Sequence, residues 1–135
     1  MIFVDTGLLL AIVQPRDSLH ERALSGLATL AGEELVVTEY ILVEVANALS
    51  KGSRRPRAQM IADQVRHSGD YRFTPASPAL LEAGLRLHRS RPDKDWSLTD
   101  CISFHVMQER DITRALAHDE HFEQAGFVAL LRHDP

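Results

Sequence analysis

Cysteine is almost absent from this chain. Cys101 is the only one, so no disulfide can close within the chain and no CxxC pair is present to build a zinc ribbon. Long apolar runs are missing as well. Runs such as residues 7–13 and 27–31 fall far short of the about 20 residues a membrane-spanning helix needs. No basic region precedes the apolar start Met-Ile-Phe-Val, so the N-terminus does not read as a secretory signal, and a cytoplasmic location without membrane association is expected. Positive charge is in deficit: 15 Lys and Arg face 19 Asp and Glu, a net charge of −4. That balance argues against a simple basic nucleic-acid binder. It evens out if four of the acids are neutralised by a metal ion.

What remains is the composition of an ordinary globular protein, 44% hydrophobic and 25% charged over 135 residues. A chain of this size can bury roughly two thirds of its unfolded surface without disulfides or structural metals, which fits one domain over 1–135. Apolar residues 2–4 stop at Asp5-Thr6-Gly7 and predict a buried strand ending in a turn. Helices follow over 8–13 and 18–30, broken at Pro15, and a second buried strand over 35–38. A helix over 40–50 carries Glu44 at the border of its apolar stripe. Ser53 is placed to cap a helix over 55–67, with Pro56 tolerated in its first turn. A strand at 71–74 precedes a helix over 78–89 capped by Ser77, with Leu80, Leu81, Gly84, Leu85 and His88 on one side. After the loop 91–95 comes a helix over 96–110. A short strand at 113–117, a helical turn ending at Gly126 and a strand at 127–131 complete the chain. Alternating strands and helices with short connections predict an α/β fold, a three-layer α/β/α sandwich on a mainly parallel sheet of four to five strands.

The helix over 96–110, WSLTDCISFHVMQER, poses the chemical question. Asp100 shares a stripe with Phe104 and Met107, while Leu98, Ile102 and Val106 form a second apolar stripe. A carboxylate there needs a partner, and no cation stands nearby in sequence. Ligands of open parallel sheets gather at the carboxyl ends of the strands. Asp5 and Asp119 belong at that edge, and Glu44 and Asp100 reach toward it from helices. Two carboxylates ~5 Å apart repel by roughly 3 kcal/mol at an effective dielectric near 20. A divalent cation reverses the sign of that interaction. Oxygen ligands favour a hard ion, Mg²⁺ or Mn²⁺, and phosphodiester hydrolysis is the chemistry such an ion serves.

Each residue also has a plainer role open to it. Asp5 can terminate a strand. Asp100 completes a capping box with Ser97, Glu44 can reach solvent, and Asp119 can cap the short helix after it. His118 and His121 do not form HExxH and read as surface histidines and not zinc ligands. Cys101 reads as a small core residue before a nucleophile, and Trp96 as a packing residue before a base-stacking platform. Arg54, Arg55 and Arg57, with Arg86, Arg89 and Arg91, are either solvated faces or the residues that hold an RNA backbone.

Four segments in order, IFVDTGLLLAI, TEYILVEVANAL, DWSLTDCISFHVMQERDI and ALAHDEHFEQAGF, give the chain a resemblance to PIN domains over nearly its full length, and within them to the VapC group of toxin ribonucleases. The resemblance implies an α/β/α sandwich and maps the family's acids onto Asp5, Glu44, Asp100 and Asp119. It implies a Mg²⁺- or Mn²⁺-dependent endoribonuclease, the toxin of a type II toxin–antitoxin pair, neutralised by a small cognate antitoxin and forming a homodimer. Thr6 would orient a carboxylate or cap the helix behind it. The chain departs from the family pattern at Ala117 and His118, where a Thr or Ser often stands before the last acid. That departure supports the competing reading, an inactive PIN-like binding module. A phosphatase of the haloacid dehalogenase type would want DxD after the first strand, and Asp5-Thr6-Gly7 lacks the second Asp.

Overall fold

The computed structural model describes residues 1–133. Five strands form one parallel sheet: β1 Ile2–Val4, β2 Leu35–Thr38, β3 Tyr71–Thr74, β4 Arg114–Leu116 and β5 Val128–Ala129, in the order β3-β2-β1-β4-β5. Phe3 pairs with Val36 on one side and Ala115 on the other. As the central strand, β1 has no solvent-facing side, and Ile2, Phe3 and Val4 are fully buried. That explains a continuous apolar run instead of an alternating one. The chain winds from β1 out to β3, then returns across β1 to build β4 and β5. The order therefore reverses between β1 and β4, and at such a switch point a crevice opens beyond the strand ends.

Seven α-helices accompany the sheet among the described residues: α1 Thr6–Val13, α2 His20–Thr29, α3 Glu39–Ala48, α4 Arg55–His67, α5 Pro78–Ser90, α6 Leu98–Glu109 and α7 Glu120–Gln124. None is long and apolar enough to cross a membrane. Thr38 caps α3 by accepting from the Ile41 N–H, and Ser77 caps α5 by accepting from the Leu80 N–H, as Ser and Thr do at helix starts. Helix α6 packs against α5 and α7, and α3 against α1, α4 and α6.

Three expectations are corrected. Ser53 does not cap α4. A 3₁₀ turn over Gly52–Arg54 runs straight into the helix, and no side chain accepts from its first turn. The buried side of α5 is rotated from the expected one: Ala83 and Gly84 are buried and Leu80 and Leu87 pack on the core, whereas Leu81 is 40% exposed and His88 is exposed. Helix α5 meets α6 along small residues, and Gly84 lies where even a Cβ would press on the Ile102 side chain. The last strand is only Val128–Ala129, because the chain turns at Leu130–Arg132 into a 3₁₀ segment. Cys101 is buried in the core, its thiol pKa raised by burial and by Asp100.

Candidate active site

Asp5 leaves β1 in extended conformation and stands at the N-cap of α1. Its side chain makes no cap hydrogen bond, which leaves the carboxylate facing the crevice. Asp119 follows β4 on the other side of the switch point. Glu44 comes from the middle of α3, and Asp100 from the first turn of α6. Together with Thr6, Gly7, Leu10, Asp95, Ser97, His118 and His121, the four acids line one cavity of about 370 Å³. All four expected acids therefore meet at one place.

Their surroundings differ. Burial, and then the charges of Asp100, Glu44 and Asp119, raise the pKa of Asp5 to about 7, opposed in part by a hydrogen bond from the Thr6 backbone. Asp100 is also raised, chiefly by burial and further by Asp119, against the Ser97 backbone and His121, which favour its charged form. Glu44 accepts a 2.5 Å hydrogen bond from the Thr6 hydroxyl, so Thr6 orients a carboxylate and does not cap α1. Asp119 is the most open, with 44% of its side chain exposed against 14% for Asp100.

The plainer roles of Asp100 and Asp119 are also realised. Asp100 Oδ2 accepts from the Ser97 N–H at 3.1 Å while Ser97 Oγ accepts from the Asp100 N–H at 3.0 Å, a complete capping box. Asp119 Oδ1 accepts from the His121 N–H at 2.9 Å and caps α7. In both acids the cap engages one carboxylate oxygen and leaves Oδ1 of Asp100 and Oδ2 of Asp119 for the cavity.

His121 is not the surface residue expected of it. Its side chain is 21% exposed, with Nδ1 at 3.0 Å from Asp100 Oδ2 and 3.3 Å from Asp119 Oδ1. One ligand atom from each of Asp100, Asp119 and His121 falls within 4.8 Å of the others, the spacing of a metal-binding group. His121 is the side-chain hydrogen-bond partner that Asp100 lacks in its own stretch of sequence. An aromatic stack puts it there. Trp96 and Phe122 each meet Phe104 edge-on at 5.0 Å, and Trp96 Nε1 donates to Gln124 Oε1 at 3.0 Å. These contacts dock α7 beneath α6, and His121 precedes the fully buried Phe122. Trp96 thus serves packing, as expected. His118 is exposed at the rim, and Ala117 is fully buried.

The arginines lie outside this cavity and fall into three sets. Arg91 is held by Asp93 through two 3.0 Å hydrogen bonds and lies 5.1 Å over the Trp96 ring, and Arg55 donates to the Ser50 carbonyl at 2.8 Å. Arg86 and Arg89 are exposed on α5. Arg54 and Arg57 line a separate cavity with Arg16.

The donor set fits a hard divalent cation: carboxylate oxygens in excess, one imidazole nitrogen, and an Asp5 raised by burial and by the charges of the other acids. The chain is also similar to known proteins. The PIN domain model matches residues 2–128. The 23S rRNA-specific endonuclease VapC20 of Mycobacterium tuberculosis, in strains CDC 1551 / Oshkosh and ATCC 25618 / H37Rv, is 29% identical over 128 residues, covering 95% of this chain and 96% of its own. The crystal structure of M. tuberculosis VapC20, a sarcin-ricin loop cleaving toxin, superposes with a TM-score of 0.86 at 26% identity over 96% of this chain and 98% of that one. FitAcB from Neisseria gonorrhoeae shares the fold at a TM-score of 0.66, 17% identity and 95% coverage of both chains.

Proposed function

The chain belongs to the PIN domain family and is a VapC-type toxin endoribonuclease, and from that premise we propose that Asp5, Glu44, Asp100 and Asp119 hold Mg²⁺ or Mn²⁺ for hydrolysis of RNA phosphodiester bonds. The observation that carries the reading is the meeting of four acids from four separate elements in one cavity, with Asp5 raised to about 7 by burial and by the other three. A small domain has little stability to spend on such repulsion unless a cation offsets it.

A bound divalent ion supplies charge neutralisation at the phosphate, an activated water and stabilisation of the leaving oxygen. The chain's own groups supply position. Asp5 and Asp100 are the enclosed carboxylates and Asp119 the open one at the cavity mouth. The Thr6 hydroxyl holds Glu44, and His121 holds Asp100 and Asp119 at one separation. The arginines at 54–57 and 89–91 track the RNA backbone. The complete assembly is a single-domain homodimer, cytoplasmic, and neutralised by a small cognate antitoxin that closes over the acids. 23S rRNA is the substrate to assay first, because VapC20 is specific for it.

The test is cleavage of RNA by the purified chain with Mn²⁺ or Mg²⁺, in EDTA, and with Asp100→Asn, alongside calorimetric titration with Mn²⁺. Cleavage that needs the metal and is lost in the variant, with binding heat dependent on Asp5 and Asp100, is expected. Cleavage that persists in EDTA overturns the metal assignment. The absence of both heat and cleavage supports a binding module instead.

A further inference from the structure

A second charged cavity lies at the far end of α1. The helix starts at the acids and spans eight residues, about 12 Å at 1.5 Å per residue. Just beyond it, Gln14, Pro15, Arg16 and Asp17 meet Arg54 and Arg57 around a cavity of about 340 Å³. Three guanidinium groups share this space in a chain whose net charge is −4. Elsewhere Arg72, Arg91 and Arg114 are each tied to a carboxylate. Among the described residues, Arg16, Arg54 and Arg57 have no such partner, even though Arg57 is half-buried. Asp17 is the one acid in the lining, and its Oδ1 accepts from the Leu19 N–H at 2.8 Å, so the lining keeps a net charge of about +2.

The backbone adds to this charge. Helix α4 begins between Arg54 and Arg57, and its first turn contains no acid and no side-chain cap. The positive end of its dipole is therefore uncompensated by the chain itself. Three arginines with unoccupied donors beside such a terminus suit an oxyanion, and Arg matches phosphate oxygens in particular.

We propose that this cavity binds a backbone phosphate of the RNA substrate and so fixes the strand relative to the acids. The proposal rests on the ribonuclease reading above. A stacked strand advances about 3.4 Å per nucleotide, so the 12 Å of α1 corresponds to about three to four nucleotides between the anchored phosphate and the scissile bond. Binding here is independent of base identity, because arginines on phosphate position a strand and do not read it.

The experiment measures binding of a labelled single-stranded RNA of about a dozen nucleotides, long enough to span both cavities, by fluorescence anisotropy in EDTA across a salt series. The protein is the full chain carrying Asp100→Asn to prevent cleavage, compared with the same chain further changed at Arg16→Gln, Arg54→Gln and Arg57→Gln. Loss of the anchor should flatten the slope of log affinity against log salt by about 0.7 for each phosphate the arginines no longer neutralise, and weaken binding about tenfold at low salt. The corresponding triple Lys variant should keep most of the slope, which separates loss of charge from loss of fold. With Asp100 intact, the triple Gln variant should raise KM on the long RNA. An unaltered salt slope overturns the proposal. If that unaltered slope comes with loss of oligoglutamate binding in the triple Gln variant, the cavity is assigned to an acidic polypeptide instead. Failure of wild type to cleave any RNA overturns the parent reading and is read in a separate assay.

Discussion

His121 Nδ1 stands 3.0 Å from Asp100 Oδ2 and 3.3 Å from Asp119 Oδ1, one imidazole joining two carboxylates that come from different elements. An ionised carboxylate only accepts, so Nδ1 carries the hydrogen. The contact fixes the separation of two acids that would otherwise repel, and groups that orient ligands in this way are typically worth about 10–100-fold in metal affinity or activity. His121→Ala should therefore lower Mn²⁺ affinity and RNA cleavage by about that factor with little change in melting temperature. His121→Asn, which retains a short donor, should recover part of the loss. Unchanged affinity in the Ala variant, measured by calorimetry, would remove His121 from the site.

Asp100 has two tasks, and substitutions can separate them. Its Oδ2 closes the capping box on Ser97 while the carboxylate faces the cavity. Asp100→Asn keeps an oxygen that can accept from the Ser97 N–H and removes a partly buried charge, so it should abolish cleavage and leave metal-free stability equal or slightly higher. Asp100→Ala should abolish cleavage and also lose about 1 kcal/mol, the usual worth of a cap. Ser97→Ala should lose a similar amount of stability while retaining most activity. Thermal melts in EDTA decide this; equal destabilisation by Asn and Ala would mean that the charge itself supports the fold.

The acids were readable in the sequence because their positions follow from local rules. Asp5 ends an apolar strand, Asp100 interrupts an apolar helix face, and strand ends of a parallel sheet gather at one edge. His121 was not readable that way. Its contact with Asp100 spans 21 residues and depends on how Phe104 and Phe122 stack, a tertiary fact with no periodic trace. The only local signal was its place between a cavity acid and a fully buried phenylalanine. The rotation of α5 was hidden for a related reason: Leu81 looks like core by type, but the approach of α6 selects the side bearing Ala83 and Gly84. The missing Ser53 cap shows that an eligible residue near a helix start caps nothing when the chain enters through a 3₁₀ turn.

Gly84 should prove intolerant of a methyl group. In an isolated helix, Gly→Ala gains about 1 kcal/mol. Here the new Cβ would overlap Ile102 Cγ1 on α6, with Leu98 Cδ1 at 3.3 Å, and overpacking of a core contact costs about 1–3 kcal/mol. The clash outweighs the propensity gain because Ile102 is itself 1% exposed and has nowhere to go. Gly84→Ala should lower the midpoint in urea, and by displacing the helix that carries Asp100 it should also weaken Mn²⁺ binding. A variant more stable than wild type would show that α5 and α6 separate easily.

The pKa of Asp5 makes metal-free stability depend on pH in a defined direction. Burial, reinforced by Asp100, Glu44 and Asp119, raises it from 3.8 to about 7 on folding. The folded chain therefore holds this proton more tightly than the unfolded chain. Between about pH 4 and pH 7 the unfolded state has lost it while the folded state retains it, so stability falls as pH rises through that window. Below the window the contribution is nil, and above it the penalty is complete, a few kcal/mol at about 1.4 kcal/mol per pKa unit. Asp5→Asn should remove the penalty. In EDTA the variant should match wild type near pH 4 and melt higher near pH 8, by on the order of 4 °C per kcal/mol, while showing no RNA cleavage. Mn²⁺ should raise the wild-type melting temperature near pH 8 much more than that of the variant, because it binds the carboxylate that pH has exposed. Parallel wild-type and variant profiles from pH 4 to pH 8 would show that Asp5 is not held against its charge by burial and the other three acids.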